Sequence, residues 1–252
     1  MNTNEFMKQI YAYEKELGNS ENILKGDLLK EEEREFISEN SNAFLFGLIA
    51  DQSVKAETAW SLPYKLKERM GTFEIKDIVS KYSMDNIQQF IKDKPALHRY
   101  PTNIGKYLYL AAEKIMNEYA SNAKNIWFNQ PAKIIVKRLE DFKGISHKKA
   151  SLACLLLIRD MNLNIEDKEN VDIIYDIHIR RIFLRAGFCE KDTLKDVVEG
   201  AKKLYPEFPG YLTSAFWAIG REICRPSNPC CDKCPIREFC KKQIELGDNI
   251  HA

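Results

Sequence analysis

One lysine in the middle of this 252-residue chain has a sequence setting suited to covalent chemistry. Gly144 can take the positive φ of a tight turn, and helical periodicity resumes directly after it. The segment from Leu139 to Leu156 therefore predicts two helices joined by a hairpin. Lys148 falls in the first turn of the second helix, where the helix dipole and the adjacent Lys149 disfavour a charged amine. A lysine in that setting is a candidate nucleophile.

A carboxylate with a similar position follows later in the chain. Asp176 immediately precedes a predicted helix, Ile177 to Ala186, and is expected to cap it with its carboxylate at the helix start. The hairpin N–H groups and the start of the second helix form an anion site that suits a phosphate. A lysine and a carboxylate beside bound phosphate suit chemistry at a sugar C1′. The alternatives are an ordinary helix connection and an aspartate that only caps.

The residues around both groups resemble a known family. The chain reads F-K-G-I-S-H-K-K-A and later Y-D-I-H, and it is similar to the helix-hairpin-helix DNA glycosylases of the endonuclease III type, which carry L-P-G-V-G-x-K-T-A and V-D-T-H. With Ala150 as anchor, the resemblance places the catalytic lysine on Lys148 and the catalytic aspartate on Asp176, not Asp172. The departures from the family pattern are Lys143 for the proline, Ser146 for the second glycine, Ile177 for the threonine, and a longer insert at 161–171.

The same resemblance implies contacts with DNA. Gln52, in I-A-D-Q-S, matches the glutamine that the family inserts near the extruded nucleotide. Tyr100 stands where the family places the wedge that fills the vacated stack. The implied contacts in the hairpin are Gly144, Ser146, His147 and Lys149. Local positive charge is expected at 143–149 and at Arg180, Arg181 and Arg185.

Five of the seven cysteines lie in the last thirty residues, and clustered cysteines favour metal binding over disulfides. Without Cys230 their spacing is C-x6-C-x2-C-x5-C, formed by Cys224, Cys231, Cys234 and Cys240. Four thiolates suit either zinc or a [4Fe–4S] cluster. The spacing is the one that the endonuclease III type uses for its cluster, so we expect a [4Fe–4S] cluster, with zinc as the alternative. Cys230 is expected to be a non-ligand and Cys154 a core residue.

Composition and pattern predict an all-α protein. No run of alternating hydrophobicity is long enough for a sheet, and Val171 to Ile174 is the one segment whose β-branched residues suit a short strand.

No apolar run approaches membrane-spanning length and the start lacks signal-peptide character, so we expect an intracellular protein without a membrane partner. A net charge of +1 neither supports nor excludes nucleic acid. The helices predicted from periodicity and caps cover 1–17, 43–70 with a break near Gln52, 84–92, 104–119, 132–142, 177–186, 192–204 and 211–224.

By resemblance, the architecture is two helical domains with a DNA-binding groove between them. A six-helix domain, 36–168, would hold the hairpin, and 1–35 with 169–252 would form the cluster domain. The implied activity is that of a monomeric base-excision repair enzyme, a glycosylase with AP lyase activity on double-stranded DNA carrying a damaged base, most simply an oxidised pyrimidine, or an abasic site. The alternatives are a monofunctional glycosylase, a non-catalytic iron–sulfur DNA-binding protein and an electron carrier. The presence of both Lys148 and Asp176 favours the bifunctional enzyme.

Overall fold

The computed structural model describes residues 2–18 and 22–247, and within these residues the chain is helical with no β-strand. This confirms the all-α class. The α-helices are α1 (Thr3–Leu17), α2 (Glu31–Glu39), α3 (Ser41–Ala50), α4 (Ala56–Met70), α5 (Ile75–Lys81), α6 (Met84–Lys92), α7 (Pro101–Glu118), α8 (Lys124–Trp127), α9 (Ala132–Glu140), α10 (His147–Arg159), α11 (Ile177–Ala186), α12 (Leu194–Leu204) and α13 (Leu212–Ala218). The run Val171 to Ile174, where a strand was conceivable, forms none.

Several short turns complete the fold. A π-helical turn, Ile219–Ile223, continues α13, and 3-10 turns form at Lys168–Asn170, Pro209–Tyr211, Cys231–Lys233, Arg237–Phe239 and Ile244–Gly247. Helix α7 begins at Pro101, three residues before the predicted start at 104. Proline is favoured at the first helical position because its φ is already helical and its missing N–H would have no partner there.

The chain divides into two compact units, one of residues 22–165 and one of 1–21 with 166–252. The sequence suggested boundaries at 36 and 168 instead. The first boundary lies earlier because α2 packs against α3 and α4, with Ile37 fully buried. The unit 22–165 contains α2 to α10, nine helical segments where six were expected. Helices α5 and α8, of seven and four residues, are too short to show clear periodicity.

Helix α3 is the centre of the unit 22–165. Its residues from Ala43 to Ala50 are all buried, so it has no polar face. The Phe44 ring lies 5.5 Å from Trp60 and 5.6 Å from Trp127, between centroids. Because α3 is fixed on every side, the loop that follows it begins from a rigid point.

In the other unit, aromatic rings from distant segments share a core. The Phe6 ring of α1 lies 5.8 Å from Phe188 and 5.3 Å from Phe239, between centroids. The start of α11 is packed tightly against the π-helical turn, since a Cβ on Gly220 would lie only 2.6 Å from the Cβ of His178. This contact fixes the helix that carries Asp176.

Candidate functional site

The predicted hairpin is present between the end of α9 at Glu140 and the start of α10 at His147. Gly144 has φ +88°, and a Cβ there would lie 2.8 Å from Cδ2 of Tyr107, so backbone and packing both require glycine. Ser146 occupies the N-cap position of α10 with φ −92° and makes no side-chain hydrogen bond to the helix. Any residue adopts that conformation, so serine in place of the family glycine does not strain the hairpin.

The two hairpin lysines occupy different environments. Lys148 is exposed on the first turn of α10, whereas the side chain of Lys149 is only 9% exposed. The Lys149 ammonium donates to the carbonyls of Ile49 and Gly144, both at 2.8 Å. Backbone carbonyls thus surround the ammonium of Lys149, an arrangement that favours a structural role over the expected contact with DNA. Burial lowers the pKa of Lys149 to about 8, although the charge of Asp51 opposes the shift.

His147 ties the two helices of the hairpin together. Its Nδ1 lies 2.7 Å from Oε1 of Glu140, the last residue of α9, and both side chains are partly exposed. The hydrogen bond therefore spans the hairpin on its solvent side.

The loop after α3 carries Gln52, which is half-buried. The Gln52 N–H donates to the carbonyl of Ala50 at 2.7 Å, and the Asp51 carboxylate accepts from Nε1 of Trp60 at 3.2 Å. Burial raises the pKa of Asp51, while the Trp60 hydrogen bond and the charges of the two hairpin lysines oppose this shift. Lys148 thus lies close enough to the Gln52 loop for its charge to act there.

The loop before α7 presents Tyr100, whose side chain is 42% exposed. Its N–H donates to Nδ1 of His98 at 3.0 Å, and Nε2 of His98 lies 3.0 Å from the carbonyl of Ala50. Arg99 lies 5.4 Å from the centroid of the Tyr100 ring. The Tyr100 loop, the Gln52 loop and the hairpin therefore meet around the C-terminal end of α3.

In the other unit, Asp176 caps α11 as predicted. Its Oδ1 accepts from the N–H groups of His178 at 3.0 Å and Ile179 at 2.9 Å. These two bonds fix the orientation of the carboxylate at the helix start. Asp172, the other carboxylate near this position, has Oδ1 3.2 Å from Nζ of Lys202. Of the two, only Asp176 stands at the positive end of a helix dipole.

The three arginines of α11 do not form the basic surface that the sequence suggested. Arg180 is paired with Asp192, and Arg181 and Arg185 are 0% and 1% exposed. The buried pair donates to the backbone carbonyls of Gly220, Cys224, Arg225, Pro226 and Ile244. An irregular loop leaves many carbonyls without an N–H partner, and these guanidinium groups supply the missing donors. The arginines therefore hold the cysteine loop.

Four cysteines of that loop line one pocket: Cys224, Cys231, Cys234 and Cys240. Burial raises the pKa of Cys234 to about 11, and the other three thiols add to the shift. Cys230 is absent from the pocket wall, and its Sγ accepts from Nη2 of Arg225 at 3.3 Å. A pocket lined by four cysteines fits a thiolate-held group in residue type. Among the described residues, no three His, Cys, Asp or Glu side chains are grouped closely enough to hold a single metal ion.

Sequence reasoning missed two residues that support the site, Lys149 as a buried donor and His98. The available signal for Lys149 was a second lysine where the family pattern has threonine. For His98 there was no signal, because the carbonyl of Ala50 that its Nε2 faces lies 48 residues earlier in the chain. Its Nδ1 accepts from the N–H of the nearby Tyr100.

Known proteins that are similar to this chain in sequence include endonucleases III from two organisms. Endonuclease III of Thermotoga maritima is 36% identical over 67 residues, 26% of this chain and 32% of that protein. Endonuclease III of Sulfolobus acidocaldarius is 33% identical over 120 residues, 45% of this chain and 48% of that protein. The matches thus span about a third and about half of these relatives. No protein-family model matches the chain.

A solved structure extends the likeness to the whole fold. A trapped endonuclease III–DNA covalent intermediate has a TM-score of 0.63 at 14% identity, with 98% of this chain and 99% of that chain covered. This likeness shows that the chain shares the fold of that endonuclease III structure. No helix among the described residues is long and apolar enough to cross a bilayer.

Proposed function

We propose that the protein is a base-excision repair DNA glycosylase with AP lyase activity, acting on duplex DNA that carries a damaged base, most simply an oxidised pyrimidine. The observation that carries the proposal is Lys148, an exposed amine on the first turn after a glycine hairpin, next to Lys149, which bonds the carbonyl of Ile49 just before the Gln52 loop. The covalent intermediate named for the endonuclease III structure supports it, because a covalent bond to DNA requires a protein nucleophile.

The chemistry begins when the damaged nucleotide is extruded from the duplex. The neutral amine of Lys148 attacks C1′ while the N-glycosidic bond breaks, and the base leaves with the bonding electron pair and takes up a proton. Opening of the sugar ring gives an imine between Lys148 and C1′. Loss of a C2′ proton then expels the 3′ phosphate, which cleaves the strand by β-elimination.

Asp176 stabilises the positive charge that develops on the sugar as the base departs. Its carboxylate is held in one orientation by the N–H groups of His178 and Ile179, so little reorganisation is needed when the charge appears. Gln52 and Tyr100 contact the DNA beside the vacated position, and the hairpin backbone from Gly144 to His147 binds a phosphate.

We also propose that the four pocket cysteines hold a [4Fe–4S] cluster. The cluster supplies no step of base excision. It supplies crosslinks that order the loop, and the buried Arg181 and Arg185 bind the carbonyls of that same loop. Cys230 faces Arg225 instead and takes no part.

Short duplexes, each with one lesion or one abasic site, test the proposed function directly. We expect strand cleavage at the abasic site and at one or more oxidised pyrimidines, with none on an undamaged duplex of the same sequence. Binding should weaken as salt rises, because phosphate contacts release counterions. Salt-independent binding with no cleavage of any duplex would overturn the proposal.

A further inference from the structure

Three loops converge on two neighbouring carbonyls at the C-terminal end of α3. The last carbonyls of a helix have no N–H partner within it and need donors from elsewhere. Lys149 supplies one to the carbonyl of Ile49 at 2.8 Å, and His98 supplies one to the carbonyl of Ala50 at 3.0 Å. The donors come from the hairpin and the Tyr100 loop, and the acceptors immediately precede the Gln52 loop.

Lys149 joins segments that are far apart in the chain. Its ammonium bonds the carbonyl of Gly144 in its own hairpin and that of Ile49, 100 residues earlier. The threonine of the family pattern ends three atoms nearer the backbone than a lysine Nζ. Burying an ammonium is unfavourable unless it is well paired, and here the two carbonyls and nearby Asp51 compensate it.

His98 makes its bonds only as one neutral tautomer. The N–H of Tyr100 donates to Nδ1 at 3.0 Å, so Nδ1 carries no proton, and the ring proton on Nε2 points to the carbonyl of Ala50. Burial lowers the pKa of His98, and the charge of Lys149 adds to the shift. The charge on Lys149 therefore favours the neutral form of His98.

We infer that Lys149 and His98 form a buried clasp that positions the hairpin, the Gln52 loop and the Tyr100 loop for DNA. This inference rests on the proposed function, which makes those loops the DNA-contacting parts of the protein. Both residues are positioning residues, because their polar atoms are bonded to backbone. The clasp acts before DNA arrives, so the three loops are already arranged in the free protein and less ordering is needed on binding.

The test compares Lys149→Met with Lys137→Met. Methionine keeps apolar bulk and removes the donor, and Lys137 is an exposed lysine on α9 of the same unit. In DNA-free protein, we expect amide hydrogen exchange at 50–53, 98–101 and 144–146 to rise about tenfold or more in Lys149→Met, with α3 still protected. The DNA concentration giving half-maximal excision should rise about tenfold, while the saturated rate changes by less than about threefold.

A second variant keeps the inference falsifiable if Lys149→Met does not fold. His98→Phe removes both ring nitrogens and should loosen 98–101 most, with the same rise in the DNA concentration needed. Unchanged exchange in these variants would overturn the clasp even if the enzyme is active. Faster exchange with unchanged DNA affinity would overturn its role in positioning. A wild type that binds no DNA would instead overturn the proposed function, and exchange in the free protein would still show whether the loops are tied together.

Discussion

Two adjacent lysines have separate tasks in this molecule. One residue along an α-helix turns the side-chain direction by about 100°, so Lys148 and Lys149 cannot share an environment. Lys148 is exposed, and Lys149 points inward to the carbonyls of Ile49 and Gly144. The buried amine has the lowered pKa, yet it has no access to a substrate. Exposure, and not pKa alone, decides which amine can act as a nucleophile.

Asp176 offers a test that separates catalysis from capping. Asparagine caps a helix about as well as aspartate, so Asp176→Asn should change stability by less than about 1 kcal/mol. It should also keep DNA affinity but slow base excision by about 10²- to 10⁴-fold, because the charge that stabilises the sugar cation is lost. Single-turnover cleavage measures the rate, and Asp172→Asn is the matched control. Full activity in folded Asp176→Asn would leave the residue as a cap only.

His98 makes stability depend on pH in a defined direction. Its pKa in the folded protein is lowered, so below about pH 6.5 the unfolded chain binds a proton that the folded protein resists. The free energy of unfolding should therefore fall as pH drops from about 6.5 toward the folded pKa, and this component should be absent in His98→Phe. Urea unfolding of both proteins between pH 5 and 8 gives the comparison. If the free energies of unfolding of wild type and His98→Phe change in parallel with pH through that range, the neutral tautomer is contradicted.

At the scale of elements, the hairpin depends on one glycine. Gly144 and Gly71 both have positive φ, but a Cβ at Gly71 meets nothing within 4 Å whereas one at Gly144 meets Tyr107 at 2.8 Å. Gly71→Ala should cost about 1 to 2 kcal/mol from backbone strain alone. Gly144→Ala should cost more and should also weaken DNA binding, because the hairpin itself must shift. Urea midpoints give the stabilities, and equal costs for the two variants would contradict the packing of the hairpin.

Elements with strong local signals were predictable from sequence. Ser83 and the apolar spacing after it predicted Met84–Lys92 with the observed bounds, and Gly144 predicted the hairpin turn. Short helices such as Ile75–Lys81 span barely two turns, too few for a periodic pattern. The arginines of α11 were misread because sequence gives charge but not burial. Only the folded loop shows that Arg181 and Arg185 satisfy carbonyls some forty residues later in the chain.

At the scale of the whole molecule, the two proposed catalytic residues lie in different compact units. Lys148 lies in the unit 22–165, and Asp176 lies in the unit that also contains the cysteine loop. Helix α11 carries both Asp176 at its start and the two buried arginines that bind the loop. The cysteine loop is thus part of the packing that supports this helix.

The proposed cluster predicts the iron and sulfide content of the purified protein. Purified protein should contain about four irons and four sulfides per chain. Cys231→Ser should lower iron content and solubility, since its sulfur lines the pocket, whereas Cys230→Ser should change neither. Metal and sulfide analysis with the visible absorption spectrum measures the outcome. One zinc per chain without sulfide would contradict the cluster and favour the zinc site that the sequence left open.

Borohydride trapping on a duplex with one abasic site tests the central claim most directly. An amine that attacks C1′ forms an imine with the opened sugar, and borohydride reduces the imine to a stable bond between protein and DNA. At saturating DNA, wild type, Lys149→Met and the exposed-lysine control Lys137→Ala should all become crosslinked, and Lys148→Ala should not. Crosslinking of Lys148→Ala at the wild-type level, or its absence in the wild type while base excision is intact, would contradict Lys148 as the nucleophile.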